Sequence, residues 1–359
     1  MKLTELRLEN WRNISELQIA AGPGINMLDG PNGAGKTSVL EAIYLLSHAR
    51  SFRTQRGELL VRQGASQAVV FAQIEGRNGT IHLGMMQADG RWSARVDGQG
   101  VPTMTAAIEH CAVVCFEPGS HALIGGPSDE RRRFLDWGVF HVEPGFATVS
   151  RRFRRALRQR NALLRSDATA SELSAWDEEL VSAAMTLHAA RMRYVGRLIP
   201  ALAARLRNLI PELGEPALQY TRGWSAEHEL AAALADSRGV DRQRGHTTRG
   251  PHRADWKLSF ERAPRREQLS RGQEKLCAIA CMLAQAELYE ADHGEWPIAI
   301  LDDLPSELDQ AHQRVVVDAL IREGAQVFLT STEVPRSLLD AALPFESFHV
   351  EQGRVSVLL

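Results

Sequence analysis

The chain has 359 residues, 44% of them hydrophobic and 24% charged, with a formal net charge of −2. These values fit an ordinary globular protein of two domains, or one large domain with an insertion, and exclude a global basic field. No run of about 18 apolar residues is present, so no spanning helix is expected, and the opening MKLTELRLENWRN lacks the apolar core of a secretion signal.

The first 35 residues read as three short strands, LTELRLEN, SELQIA and INMLDG, the last running into a glycine-rich loop and a helix from Lys36 to Ser47. Residues 68–97 alternate polar and apolar between turn signals, as an antiparallel meander does. AVVCF at 112–116 reads as a further buried strand. From Asp129 to Asp241 the pattern is helical: SRRFRRALRQRNALLR at 150–165 carries seven arginines and no acid. Leu173, Trp176, Leu180, Ala184 and Leu187 follow at helical spacing, then Tyr194, Leu198, Leu202, Leu206 and Leu209, with Pro200 expected to kink or divide the segment. An antiparallel helical hairpin fits this spacing, and a long coiled coil does not. Near Arg249 the α/β pattern resumes with strand ADWKLSF, helix QEKLCAIACMLAQAELYE, strand PIAILDDL, a helix over 307–323, strand AQVFLTST and a terminal pair, FESFHVEQGRVSVLL. The expected architecture is one α/β domain split in sequence, residues 1–125 and 248–359, with a helical insertion at 126–247.

Lysine occurs only at Lys2, Lys36, Lys257 and Lys275; composition bias explains the preference for arginine, and a retained lysine marks a position worth inspection. The cysteines pair at i, i+4: Cys111 with Cys115 and Cys277 with Cys281. On a strand that spacing spans roughly 13 Å, too far for a shared metal, and the second pair falls on the apolar face of a helix, where cysteine packs as a small hydrophobe. These features together suggest a reducing cytoplasm.

Gly30-Pro31-Asn32-Gly33-Ala34-Gly35-Lys36-Thr37 matches the phosphate-loop pattern in full and stands between a buried strand and a helix. Glycines let the backbone curl so that its N–H groups face phosphate oxygens, and the helix adds its positive end. Lys36 would reach the β- and γ-phosphates of ATP, and the Thr37 hydroxyl would ligate Mg²⁺. Ile298 to Leu301 form an apolar strand ending in Asp302 and Asp303, at the strand edge where ligands of open α/β sheets bind. Asp302 would hold Mg²⁺ through water and Asp303 would orient or deprotonate the attacking water; two such acids could also serve as a helix cap.

Leu269-Ser270-Arg271-Gly272-Gln273 precedes a long helix, with Ser270 placed to cap it. A helix end bearing a hydroxyl, a glycine and Gln273 is also an anion receptor. This segment resembles the LSGGQ signature of ABC ATPases, with Arg271 in place of one glycine, and Ser306-Glu307-Leu308-Asp309 resembles their D-loop. The resemblance implies two ATP molecules held between two copies, Lys36 of one facing Ser270, Gly272 and Gln273 of the other, with hydrolysis requiring the dimer and Lys36, Asp303 and Ser270 as the catalytic set.

Leu8-Glu9-Asn10-Trp11-Arg12-Asn13 resembles the start of chromosome-maintenance ATPase heads. GPNGAGKTSVLEAIYLLSHARSFRT, GPSDERRRFLDW, GPHRADW, LSRGQEK and LDDLPSELD, in this order, resemble bacterial RecF over nearly the whole chain. That resemblance implies an ABC-ATPase-like head, a mixed P-loop sheet plus an antiparallel meander, carrying a helical insertion lobe. It extends the nucleotide contacts to Ser38, Arg12 and Asn13. It further implies a cytosolic, nucleoid-associated ATPase of recombination and repair that dimerises on ATP, binds DNA, and works with RecR and RecO to load recombinase at single-strand gaps. The acid pair is Asp-Asp where most ABC ATPases have Asp-Glu, which implies slow hydrolysis. The switch histidine of transporters is replaced by Thr330, Ser331 and Thr332, and no Q-loop glutamine is placed.

For DNA the chain offers Arg50, Arg53 and Arg56 after the P-loop helix, Arg131 to Arg133, and the 151–165 stripe with Arg151, Arg152, Arg155 and Arg158. A basic stripe without acids is an electrostatic footprint for phosphate; the alternative is a solvated helix face paired with Asp177, Glu178 or Glu179. Asp129, Glu130 and Asp136 lie beside Arg131–Arg133 and weaken that candidate. Few aromatics accompany these cations, so backbone contact with a duplex or a single/double-strand junction, without sequence specificity, is expected over base stacking.

Overall fold

A computed structural model describes residues 1–166, 168–335, 338 and 344–358, the side chains of 357 and 358 excepted. The chain divides into two compact units, Met1–His121 with Arg271–Leu359, and Ala122–Ser270.

In the first unit β1 (Lys2–Trp11) and β2 (Ile14–Ala20) pair antiparallel. β3 (Ile25–Asp29) then feeds the glycine loop and α1 (Lys36–His48). The meander follows as β4 (Gln67–Gly76), β5 (Gly79–Ala88), β6 (Arg91–Val96) and the short β7 (Gln99–Gly100), in one antiparallel sheet ordered β2-β1-β4-β5-β6-β7. Its period-two pattern buries Ala68, Val70, Ala72 and Ile74 on one face. A short α2 (Met104–Ile108) leads to β8 (Val113–Phe116).

The second unit holds α3 (Ala122–Gly125), α4 (Ser128–Val142), α5 (Phe146–Leu164), α6 (Ala170–Leu209), β9 (Pro216–Thr221), α7 (Leu230–Arg244) and β10 (Asp255–Phe260). α5 and α6 pack on each other. A capping box of Thr169 and Glu172 starts α6, satisfying two end donors reciprocally. Pro200 does not divide α6, which runs unbroken for 40 residues. The buried stripe of Tyr194, Leu198, Leu202, Leu206 and Leu209 continues on both sides of the proline, and tertiary packing of that face outweighs one missing hydrogen bond.

The second boundary also differs from expectation. Residues 248–270 belong with the insertion, because β10 pairs antiparallel with β9, setting Trp256 opposite Tyr220 and Leu258 opposite Leu218. The partner strand, PALQYT, lies inside the 129–241 stretch whose expected pattern is helical. The first boundary falls at His121, four residues before the expected 125.

The chain re-enters the first unit at α8 (Arg271–His293), followed by β11 (Ile298–Leu301), α9 (Leu304–Glu307), α10 (Gln310–Arg322), β12 (Val327–Thr330), β13 (Phe345–Glu351) and β14 (Arg354–Leu358). These build a second sheet ordered β14-β13-β3-β12-β11-β8, parallel from β13 to β8 with β14 antiparallel at the edge. One apolar cluster joins Leu6, Leu8, Trp11 and Val70 of the meander with Val39, Leu40 and Ile43 of α1 and Leu28, Ile298, Ile300 and Phe328 of the parallel sheet. α1 is therefore covered on almost every side, as an apolar helix between two layers must be. That fixes where the loop before it can point.

Candidate functional site

The parallel strands deliver the site residues to one edge. β12 lies between β3 and β11, so Thr330 stands between the glycine loop after β3 and the acids after β11. The loop itself is shaped by backbone that only glycine tolerates. Gly30 has φ 138°, and a Cβ there would stand 2.1 Å from the Val350 carbonyl oxygen; Gly33 and Gly35 also take positive φ, 80° and 121°. The β13–β14 turn supports the loop from behind, the Gly353 N–H donating to the Ala34 carbonyl at 2.9 Å.

Lys36, the first residue of α1, is buried, and its ammonium donates to the carbonyls of Gly30 and, at 3.0 Å, Pro31. Burial lowers its pKa, while Asp303, Asp302 and Asp29 pull it back up. Next to it the Thr37 hydroxyl donates to Asp302 Oδ1 at 3.0 Å, and Thr330 donates to the same oxygen at 2.7 Å. Burial raises the Asp302 pKa, partly opposed by those two hydroxyls and assisted by the charge of Asp303. A hydroxyl and a buried carboxylate presenting hard oxygens side by side are donors of the kind that suit Mg²⁺.

Asp303 stands in the left-handed region, φ 53° and ψ 40°, with its N–H donating to Thr330 Oγ1 at 2.9 Å. It heads α9 without a side-chain cap bond, so the cap reading of the two acids does not describe it. Asp303 shares this conformation with Asn10, Arg12, Ala49, Asp89, Asp97 and Gln352, and here it turns the chain from β11 into α9. The Thr330 hydroxyl is engaged by both acids and acts as their anchor.

Around the loop, Asn13 Nδ2 donates to the Gly33 carbonyl at 3.2 Å and its Oδ1 accepts from Ser38 at 3.3 Å. Trp11 Nε1 donates to the Ser38 carbonyl at 2.8 Å. Arg12, also left-handed at φ 55°, is gripped by Glu41 through bonds of 2.8 and 2.6 Å. Gly30 to Ser38, Arg12 and Asn13 thus form one neighbourhood with Asp302 and Asp303. Ser270 immediately precedes α8, whose first turn carries Gly272 and Gln273. One turn on, Lys275 pairs with Glu307 at 2.8 Å, tying the signature-like segment to the D-loop-like one.

The match to known proteins now decides the family. The model of the RecF/RecN/SMC N-terminal domain matches residues 2–354. The DNA replication and repair protein RecF of Xanthomonas axonopodis pv. citri is 46% identical over 99% of this chain and 98% of its own length. The chain belongs to the RecF family. The RecF of Shewanella baltica is 36% identical over the full length of both. Among solved structures, the recombination mediator protein RecF with ATPrS in the RecFOR pathway superposes with a TM-score of 0.89 at 25% identity, covering 100% of this chain and 98% of that one. An Smc head bound to the C-terminal winged-helix domain of ScpA superposes at 0.62 with 15% identity, a likeness of fold alone. The fold is that of an ABC-type ATPase head with a helical insertion.

Within this family member the arginines separate into two kinds. Arg131 is buried and bonds Asp255 at 2.7 Å, Arg132 pairs with Asp129, and Arg133 pairs with Glu130 at 2.6 Å, so each cation of this run has a carboxylate partner. On α5, Arg160 is fully buried between Asp177 and Asp241, and Arg152 bonds Glu179 at 2.5 and 2.6 Å. Arg151, Arg155 and Arg158 are exposed on one face. In the segment after α1, Arg50 donates to the Tyr44 hydroxyl at 3.2 Å, Arg53 lies 4.0 Å from Glu41, and Arg56 is exposed.

Two site-bordering acids were missed from the sequence. Glu41, fully buried, holds Arg12 and accepts from the Ser51 hydroxyl, which in turn receives the N–H groups of Arg53 and Thr54 at 2.8 and 2.9 Å. A single acid in the apolar run SVLEAIYLL was its signal. Glu117 follows β8, the neighbour of β11; burial raises its pKa, with Asp302 among the charges adding to the rise. Nothing in its local sequence distinguishes it from a loop acid. The four cysteines are free, and burial pushes the Cys111 thiol up to about 12. Among the described residues no helix is long and apolar enough to cross a membrane.

Proposed function

We propose that this chain binds and slowly hydrolyses Mg·ATP between two copies of itself, and that the ATP-held dimer binds DNA in recombinational repair. The observation that carries the reading is the cluster of Thr37, Asp302, Thr330 and Asp303 at the sheet edge beside the P-loop. Lys36 and the loop N–H groups would hold the β- and γ-phosphates. Thr37 and Asp302 would hold Mg²⁺, which supplies charge neutralisation of the phosphate oxygens. Water attacks the γ-phosphorus, the bond to the β–γ bridging oxygen breaks, and Asp303 receives the water's proton, giving ADP and phosphate. Aspartate reaches less far than glutamate, so turnover is weak, with DNA stimulating it. Ser270, Gly272 and Gln273 would complete the partner's site. Arg50, Arg53, Arg56, Arg151, Arg155 and Arg158 are the proposed contacts for duplex or junction backbone, with Arg152 a lesser one because of Glu179. Family membership supports a cytoplasmic setting at the nucleoid and RecR and RecO as partners in loading recombinase at single-strand gaps.

Particle mass measured by light scattering with and without ATP tests the core of this reading. Monomer should become dimer only with nucleotide, and the change should be lost in Ser270→Arg, whose cation would fill the partner's γ-phosphate position. Lys36→Ala should lower hydrolysis by roughly 100-fold and abolish ATP-dependent retention on duplex DNA. A dimer formed equally well without nucleotide would overturn the mechanism.

A further inference from the structure

The Ala122–Ser270 unit contains a pocket of about 500 Å³ that no residue of the sites above lines. Arg244 at the end of α7, Arg249 in the following loop and Arg253 in the turn before β10 line it, with Thr221, Thr248 and Trp224. No acidic side chain lines it. Among the described residues the three guanidiniums make no ion pair and no side-chain hydrogen bond. Asp241, one turn before Arg244, is fully buried and is held by Arg160 at 2.8 Å and by the Thr248 hydroxyl at 2.6 Å, so it does not neutralise them.

Other features of the pocket agree with this excess of donors. Trp224, 6% exposed, lines the pocket as a largely covered ring, its indole N–H buried out of reach of the cavity. Arg222 stacks on the same ring, 4.6 Å from its centroid, adding a fourth cation nearby. The two loops that carry these residues are pinned together. Gly223 has φ 93°, a Cβ on it would stand 2.3 Å from the Gly250 carbonyl oxygen, and the Gly250 N–H donates to the Gly223 carbonyl at 3.2 Å. The approach requires glycine and holds Arg249 and Trp224 in one rigid frame. An open concavity lined by three exposed forked donors and free of carboxylates complements an oxyanion with several oxygens.

We propose that this pocket is a phosphate-binding site, taking a phosphoryl group either from a nucleic-acid backbone or as free phosphate. The site stands independently of the P-loop reading; only its nucleic-acid arm shares the DNA-binding part of that reading.

The test has two arms on the full chain. In the first, Lys36→Ala, which keeps phosphate off the P-loop, is titrated with inorganic phosphate by calorimetry, with and without Arg249→Gln and Arg253→Gln together. In the second, the otherwise wild-type chain with Mg·ATP is titrated with a short duplex over a salt series, with and without the same pair. Arg91→Gln with Arg95→Gln removes equal charge from exposed positions of β6 and serves as control. A loss of about ten-fold in phosphate affinity, or a salt slope shallower by about 2, supports the site, the affected arm naming the source. Should the wild type bind no duplex while the phosphate arm shows the loss, the DNA reading fails and the pocket stands. Unchanged titrations in both arms, or an equal loss in the control, would sink it. If the double variant lowers the thermal midpoint, Arg244→Gln carries the same test from the exposed end of α7.

Discussion

The two units treat buried charge in opposite ways. In the Ala122–Ser270 unit each deep arginine meets its counter-charge. Arg160 bonds Asp177 and Asp241, Arg131 bonds Asp255, and Arg191 bonds Asp136 at 2.8 and 2.9 Å. At the sheet edge of the other unit, the Lys36 ammonium is held by two neutral carbonyls and the Asp302 carboxylate by two neutral hydroxyls. Burial presses both toward their neutral forms. Compensated buried charge holds a fold together; buried charge left short of a counter-ion awaits a ligand that supplies one. Glu41 with Arg12 shows that the division is local, since that pair is compensated although it borders the P-loop.

The sharpest way to break the comparison is Arg160→Ala. It strands Asp241, which is fully buried and also accepts from Thr248 and Ser237. Removing one partner of a buried pair costs about 3–5 kcal/mol, read as a drop in the urea midpoint with the slope unchanged. A loss below about 1 kcal/mol, the scale of a surface pair, would mean that Asp241 finds another partner and that the contrast is not one of compensation.

Asp302→Asn should do the reverse. Asparagine can still accept from Thr37 and Thr330 while removing a charge that burial and Asp303 disfavour, so the nucleotide-free chain should melt a few degrees higher. The pH dependence has a definite sign. A carboxyl whose folded pKa is raised binds more protons folded than unfolded, so wild-type stability falls as pH rises from the ordinary carboxylate value through the raised one. The advantage of Asp302→Asn should therefore grow across that window and level off above it. Mg·ATP should stabilise the wild type and leave the variant behind. If the variant melts lower at every pH, Asp302 is a structural acid.

The reason much of this site could be read from sequence lies in how local its chemistry is. The P-loop is eight consecutive residues whose glycines, lysine and threonine each have one reason to be there, and the two acids end an unmistakable apolar strand. The meander showed because alternation is a local signal. What stayed hidden depended on pairing across distance. Glu41 gains its role from Arg12 and Ser51; β9 is a strand because β10 lies beside it, and without that partner PALQYT passes unmarked within the helical 129–241 stretch, moving the unit boundary by 23 residues from the expected 247 to 270. Pro200 misled for the same reason, since the buried stripe that carries α6 past it exists only in the packed unit. The arginine stripe of 151–165 was visible as composition, but which cations are free was not. Arg160 and Arg152 are distinguished from Arg155 only by acids brought from α6 and α7.

That last distinction carries the smallest expected effect and the finest test. Arg151, Arg155 and Arg158 face solvent together, and among the described residues none of them has an ion pair. Replacing all three with glutamine should leave ATP hydrolysis without DNA unchanged. Duplex binding should weaken, with the slope of log affinity against log salt shallower by about one for each phosphate no longer neutralised, at most about three. Arg152→Gln should shift the slope less than any one of them, because Glu179 already balances that guanidinium, and the exposed pair itself is worth roughly 0–1 kcal/mol. A slope unchanged in the triple variant would make the α5 face a solvated surface and leave Arg50, Arg53 and Arg56 as the remaining candidates. A slope that falls more in Arg152→Gln than in Arg155→Gln would show that DNA displaces Glu179, and that a carboxylate partner on an exposed helix does not remove an arginine from phosphate recognition.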